Sequence, residues 1–131
     1  MKNMKEIIKV GVVGCGYWGP NLIRNLRQSP DCHLKLICDA SEKRLSHMRR
    51  LHPGIETTTH FEQVINDAEI DAVVIATPVR LHYEMARACL AAGKHVFIEK
   101  PMARTEAEAE ELVAFAEHQG LVIMVGHTFL F

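Results

Sequence analysis

The sequence lacks an excess of charge, an apolar run of membrane length and a cysteine framework. Fifteen Lys and Arg stand against sixteen Asp and Glu, for a formal net charge of -1. A chain so balanced has no electrostatic footprint for nucleic acid or for an anionic membrane surface. No apolar segment approaches the roughly 20 residues that span a bilayer. The four cysteines, Cys15, Cys32, Cys38 and Cys89, form no C-x-x-C pair and no zinc spacing, and three lie in or beside apolar stretches. They read as reduced thiols of a cytoplasmic protein, and no metal site is expected. Lys2 and Lys5 precede an apolar stretch, but Lys9 interrupts it and no small-residue cleavage site follows, so the expectation is an untargeted chain. Repeats, linkers and low-complexity tracts are absent. The 131 residues suit one domain over positions 1–131, large enough to bury about two-thirds of its unfolded surface.

What is present is organised around a glycine loop. Gly14, Gly16 and Gly19 stand in G-x-G-x-x-G order between an apolar run at 7–13 and a segment with Leu22, Ile23 and Leu26 at helical spacing. In a dinucleotide site the first glycine allows a tight turn, the second lets the backbone approach a pyrophosphate and the third lets helix pack on strand. Free N–H groups at the helix start then face the anion. Tyr17 and Trp18 lie inside the loop and count with it as cofactor-contacting positions. Cys15, in the loop near a helix N-terminus, is either a thiol of lowered pKa or a small filler. About twenty residues past Gly19, a second apolar run at 33–38 ends in Asp39. A carboxylate there accepts from ribose hydroxyls and repels a 2′-phosphate, which favours NAD over NADP; the alternative is a cap for the helix from Ser41. Arg44 would reach a 2′-phosphate, or is an arginine on an exposed helix face.

Further along, strands are expected at 55–59, 71–76, 94–100 and 121–125. Helices are expected after Ser41 with Leu45, Met48 and Leu51 inward, at 61–67, at 79–92, and from a Thr105/Glu108 capping box through His118 with Leu112, Val113, Phe115 and Ala116 inward. Gly93 and Gly120 fall just past helix ends. Strand and helix alternate six times, which predicts an α/β fold: a doubly wound parallel six-stranded sheet with right-handed crossovers. Ligands of such sheets sit beyond the strand carboxyl ends, where Gly14 to Gly19, Asp39, Thr77, Pro78, Glu99, Lys100, Pro101, Gly126 and His127 all fall.

With Ala76-Thr77-Pro78 followed by His82, and above all Glu99-Lys100-Pro101, the sequence resembles the Gfo/Idh/MocA family of NAD(P)-dependent oxidoreductases over essentially its whole length. The wording at 16–25 and 125–130 is most similar to nucleotide-sugar dehydrogenases. The resemblance implies a Rossmann domain that binds NAD and serves hydride transfer at a secondary hydroxyl of a sugar or nucleotide-sugar. It gives Lys100 the part of general acid and base, its pKa lowered by burial and by the cationic nicotinamide. Glu99 would orient it, and Pro101 would fix the turn in a cis or otherwise rigid form. Thr77 and Pro78 would line the passage from ribose to nicotinamide. His82 would reach back toward the cofactor or stand as a partly exposed polar residue, and His127 would contact substrate near the nicotinamide. The other histidines, His33, His47, His52, His60, His95 and His118, have no convergent partners and default to structural roles.

Proteins of that family carry a second domain after the sixth strand, with substrate-binding residues and the usual dimer face. It is absent from these 131 residues, so the expectation is a cofactor domain with half a substrate pocket, weak or no turnover alone, and exposed faces that favour self-association. A stand-alone NAD-binding or sensing module without catalysis stays open beside it. A methyltransferase has no need of Lys100 in that position.

Overall fold

The computed structural model describes residues 7–16 and 19–126, with the backbone alone for 19 and 20. Strands are β1 (Ile8–Val13), β2 (Cys32–Cys38), β3 (Glu56–Thr58), β4 (Ala72–Ile75), β5 (His95–Glu99) and β6 (Ile123–Gly126). Between them lie helices α1 (Gly19–Gln28), α2 (Glu42–Leu51), α3 (Phe61–Ile65), α4 (His82–Ala91) and α5 (Glu106–Gln119). All five strand pairings are parallel, in the order β3-β2-β1-β4-β5-β6. The chain winds outward from β1 in one direction and then from β4 in the other, so the order reverses between β1 and β4. That is the Rossmann topology with its switch point.

Two apolar layers hold the sheet. On one face Val64 of α3, Ala86, Cys89 and Leu90 of α4, and Leu112 and Ala116 of α5 pack on Val13, Val73, Ile75, Val96 and Ile98. On the other, Leu22 and Ile23 of α1 and Leu45 and Met48 of α2 pack on Val10, Val12, Leu34 and Val74. Strands buried on both faces must be apolar throughout, which is why 10–13 and 72–75 read as unbroken runs. Each fully buried aliphatic side chain contributes about 1.5–3 kcal/mol. The second face is covered less completely toward β6: an apolar cavity of about 340 Å³ opens among Val10, Leu22, Leu26, Ala72, Val74 and Phe97. Val122 and Met124 are more than half exposed.

Local signals set the boundaries. Ser41 Oγ accepts from Arg44 N at 3.3 Å, and Gly120 ends α5 at φ +71°. The capping box at α5 is only half as expected. Thr105 Oγ1 accepts from Glu108 N, but the Glu108 carboxylate takes the Arg104 amide and guanidinium, the stronger, charged donor. The helix expected from 79 starts as a 3₁₀ turn at Val79–Leu81, with Leu81 N bonded to Pro78 O at 2.9 Å, and becomes α-helical only at His82. Two expected core residues are exposed. Leu51 is the last residue of α2, with no further helical turn to carry it onto the sheet. Val113 sits about 100° around the helix from Leu112, off the face that Leu112 and Ala116 share.

Ile98→Ala, in the middle of the sheet, is expected to lower unfolding free energy in urea by about 2–5 kcal/mol. Val122→Ala is expected to stay within about 0.5 kcal/mol.

Candidate dinucleotide site

Parallel register brings the strand ends to one edge. Val13 lies opposite both Cys38 and Ile75, Ile75 opposite Ile98, and Glu99 opposite Gly126. Continuing hydrogen bonds carry that alignment into the loops: Gly14 N to Cys38 O at 2.7 Å, Ala76 N to Val13 O at 2.8 Å and Lys100 N to Gly126 O at 3.4 Å. Gly14, Asp39, Thr77, Pro78, Glu99 and Lys100 therefore converge as expected.

Gly14 has φ +97°, and a Cβ on it would lie 2.7 Å from Ala76 O and 3.0 Å from Thr77 Cγ2. The loop thus passes against the β4 end at backbone contact distance. A Cβ on Gly16 would meet nothing nearer than Arg44 Nη1 at 3.6 Å, so the space above Gly16 stays open. A cavity of about 290 Å³ runs along this line, walled by Gly14, Gly16, Arg44, Ala76, Thr77, Pro78 and Glu99.

Asp39 is 6 % exposed. Its Oδ2 accepts from Cys15 N at 2.8 Å and from Cys15 Sγ at 3.3 Å, and its Oδ1 accepts from Ser41 N at 2.8 Å, with Arg44 Nη1 at 3.8 Å. The reading of Asp39 as a brace for the start of α2 is met by the Ser41 bond, and the Cys15 bonds add a tie between the glycine loop and β2 that the sequence did not suggest. The Cys15 thiol is not activated. Burial, then the Asp39 charge and its hydrogen bond, push it up to about 12.

Glu99 is 8 % exposed, and among the described residues its Oε1 has no hydrogen-bond partner. Burial raises its pKa. An unpartnered carboxyl oxygen buried in a cavity wall is a costly arrangement that a ligand hydroxyl or amide relieves. Lys100, expected to be buried, is exposed at the end of β5. The pleat sends adjacent residues to opposite sides, and no ion pair joins Lys100 to Glu99 among the described residues. The Lys100-Pro101 bond is cis. Thr77 Oγ1 donates to Met85 Sδ at 3.5 Å, so it is the backbone and methyl of Thr77, with Pro78, that wall the cavity.

His82 departs from both expectations. It is 1 % exposed and does not line the cavity; its Nε2 lies 2.7 Å from Thr77 O and its Nδ1 2.9 Å from Pro101 O. Gly19 opens α1. Tyr17, Trp18 and His127 lie outside the described residues. What sequence reasoning underweighted is the basic side of α2. Lys43, Arg44, His47 and Arg50 line, with Cys15, Ser41 and Met48, a cavity of about 610 Å³ beside Asp39. The available signal was their position on the helix that starts three residues after the strand-end acid.

A profile described as "Oxidoreductase family, NAD-binding Rossmann fold" matches residues 8–127. The chain belongs to the Gfo/Idh/MocA family. It is 36 % identical over 122 residues to the scyllo-inositol 2-dehydrogenase (NADP(+)) of Bacillus subtilis, matching 93 % of this chain and 34 % of that enzyme. Among solved structures it resembles GenD2 from gentamicin A biosynthesis in complex with NAD, at 30 % identity and TM-score 0.88 over 95 % of this chain and 36 % of that one. It also resembles the Synechocystis biliverdin reductase in complex with biliverdin and NADP+, at 34 % identity and TM-score 0.86 over 92 % of this chain and 38 % of that one. The chain spans about a third of the length of these relatives. One of these structures holds NAD and the other NADP+. The residues present fit such a dinucleotide: a glycine cradle with no room for a Cβ at Gly14, open space at Gly16, and in the wall of the same cavity Glu99, whose Oε1 is buried without a partner among the described residues.

Gly14→Ala is expected to cost about 1–3 kcal/mol or more in thermal unfolding, through positive-φ strain and the Ala76 clash, while Gly16→Ala melts near the parent. Buried thiols pushed up to about 12 at Cys15, about 11 at Cys38 and about 12 at Cys89 are protonated at pH 8. All three are expected to escape iodoacetamide in the native state and to react after unfolding, read by peptide mass.

Proposed function

We propose that this domain binds NAD, with NADP as the weaker ligand, for hydride transfer at a secondary hydroxyl of a small polyhydroxylated substrate, a sugar or nucleotide-sugar. The observation that carries the reading is the continuous cavity from the glycine loop past Thr77 and Pro78 to Glu99, next to Lys100. A bound nicotinamide supplies the hydride acceptor or donor. The rest is the work of this chain's residues. N–H groups at the start of α1 and the bare backbone at Gly16 take the pyrophosphate. Asp39 stands at the ribose end of the cleft, where its negative charge opposes a 2′-phosphate, while Arg44, Lys43, His47 and Arg50 pull the other way. The balance favours NAD because Asp39 is fixed in place by three hydrogen bonds, whereas Arg44 is 60 % exposed and solvated.

At the other end, Lys100 takes the proton of the substrate hydroxyl at its Nζ during oxidation and returns it during reduction. The unpartnered Glu99 oxygen accepts a hydrogen bond from the nicotinamide-side ribose or amide. His127 is assigned the substrate side. The relative that acts on scyllo-inositol, a ring of secondary alcohols, supports the substrate class. The cytoplasm suits four cysteines that are all free, three of them buried.

The test is calorimetric titration of the 131-residue chain with NADH and NADPH. The expected order is NADH tighter than NADPH. Asp39→Ala is expected to weaken NADH about tenfold, Gly16→Ala at least as much, and Arg44→Ala to weaken NADPH more than NADH. A folded chain that binds neither nucleotide overturns the reading. A nucleotide-binding module without chemistry is the competing case. It is favoured if Lys100→Ala leaves unchanged whatever hydride exchange the chain supports.

A further inference from the structure

His82 is a fully buried polar ring whose two nitrogens both reach outside its own helix turn. Its Nδ1 lies 2.9 Å from Pro101 O and its Nε2 2.7 Å from Thr77 O. Carbonyl oxygens only accept, so a neutral ring donates to one of them through whichever nitrogen carries its hydrogen and packs closely against the other, touching both loops in either tautomer. Thr77 follows the end of β4, and Pro101 follows the end of β5. The ladder between these two strands registers Ala72 with His95 through Ile75 with Ile98 and stops there. Beyond it, among the described residues, His82 is the side chain that joins the two loops.

The bridge bears on the site from behind. Thr77 O is held by His82, while the Ala76–Thr77 segment meets the backbone of Gly14 on its cleft side, where no Cβ fits. Pro101 O is held by the same ring, and Pro101 follows Lys100 directly. A single imidazole thus fixes the wall that Thr77 and Pro78 give the cavity and the peptide that carries the amine.

We propose that His82 is a positioning residue, a tie-bar that sets the spacing between the Thr77–Pro78 wall and Lys100 and so the geometry of the nicotinamide end, without touching cofactor or substrate. The proposal rests on the nucleotide-binding reading above. A displacement of about 1 Å between groups that must meet is enough to cost orders of magnitude in rate, so a rigid link there has a purpose that fold stability does not require. The adenosine end is built separately, from Asp39, Cys15 and the α2 start, and the bridge does not reach it.

That separation gives the test. NADH and ADP-ribose share the adenosine and pyrophosphate, and only NADH carries nicotinamide. His82→Ala is expected to weaken NADH about tenfold or more while ADP-ribose stays within about twofold of the parent, with His82→Gln intermediate for NADH. Equal losses for both ligands, or no loss for either, overturn the tie-bar. A parent chain that binds neither ligand overturns the nucleotide reading instead, so the two failures are distinct. A second measurement needs no variant. In the parent with 15N-labelled histidine, one ring is expected to show an exchange-protected N–H proton that persists when NADH is added. A ring N–H that exchanges freely, or signals that move as for direct ligand contact, overturns it.

Discussion

Between the first strand and the fourth, the chain has room for a peptide and no more. At Gly14 the place a side chain would take is 2.7 Å from the Ala76 carbonyl, and the same peptide is bonded back to β1 through Ala76 N and Val13 O. This contact sits at the point where strand order reverses, so it sets how far apart the two half-sheets are at their carboxyl ends. The groups at this edge hang from one side of it or the other: the glycine loop and, through Cys15, Asp39 on the β1 side; Thr77, Pro78 and, through His82, the Lys100-Pro101 turn on the β4 side. A residue with a side chain at position 14 would part these groups.

The charges are arranged around that fixed line in two unlike ways. Asp39 is buried, and its oxygens are committed to N–H and S–H donors of the loop and of α2; its work is mostly done before any ligand arrives. The basic side chains of α2 are solvated and adaptable. This edge therefore sets a fixed anion beside screened, solvated cations, and solved structures similar to this chain hold NAD in one case and NADP+ in another.

The sheet and its order of elements were legible because their cause is periodicity. Runs apolar on both faces demand a parallel sheet between helices, and Ser41, Thr105, Gly93 and Gly120 mark helix ends by local backbone chemistry. The convergence of the strand ends was legible as well, because register in a parallel sheet follows from topology. His82 was not. Its partners are two backbone carbonyls, 5 and 19 residues away, and a carbonyl leaves no mark in a sequence. At Cys15 the small-filler alternative holds: burial beside Asp39 outweighs proximity to a helix start. Arg44 read as an arginine on an exposed helix face, because nothing in a linear pattern tells which polar face of a helix borders a cleft.

The Glu-Lys pair at the end of β5 shows what local geometry adds to a motif. Adjacent residues on a strand point to opposite sides, so the two side chains are not a mutual ion pair, whatever their order in sequence suggests. Glu99 is turned into the cavity wall, loses its water and has its pKa raised by that burial. Lys100 is left in the open. The cost of burying a carboxyl falls on its charged form, which gives that shift its direction. The dipeptide thus presents a buried carboxyl to the cavity wall and an exposed amine-bearing side chain beyond it, and the turn after Lys100 is the one that His82 reaches.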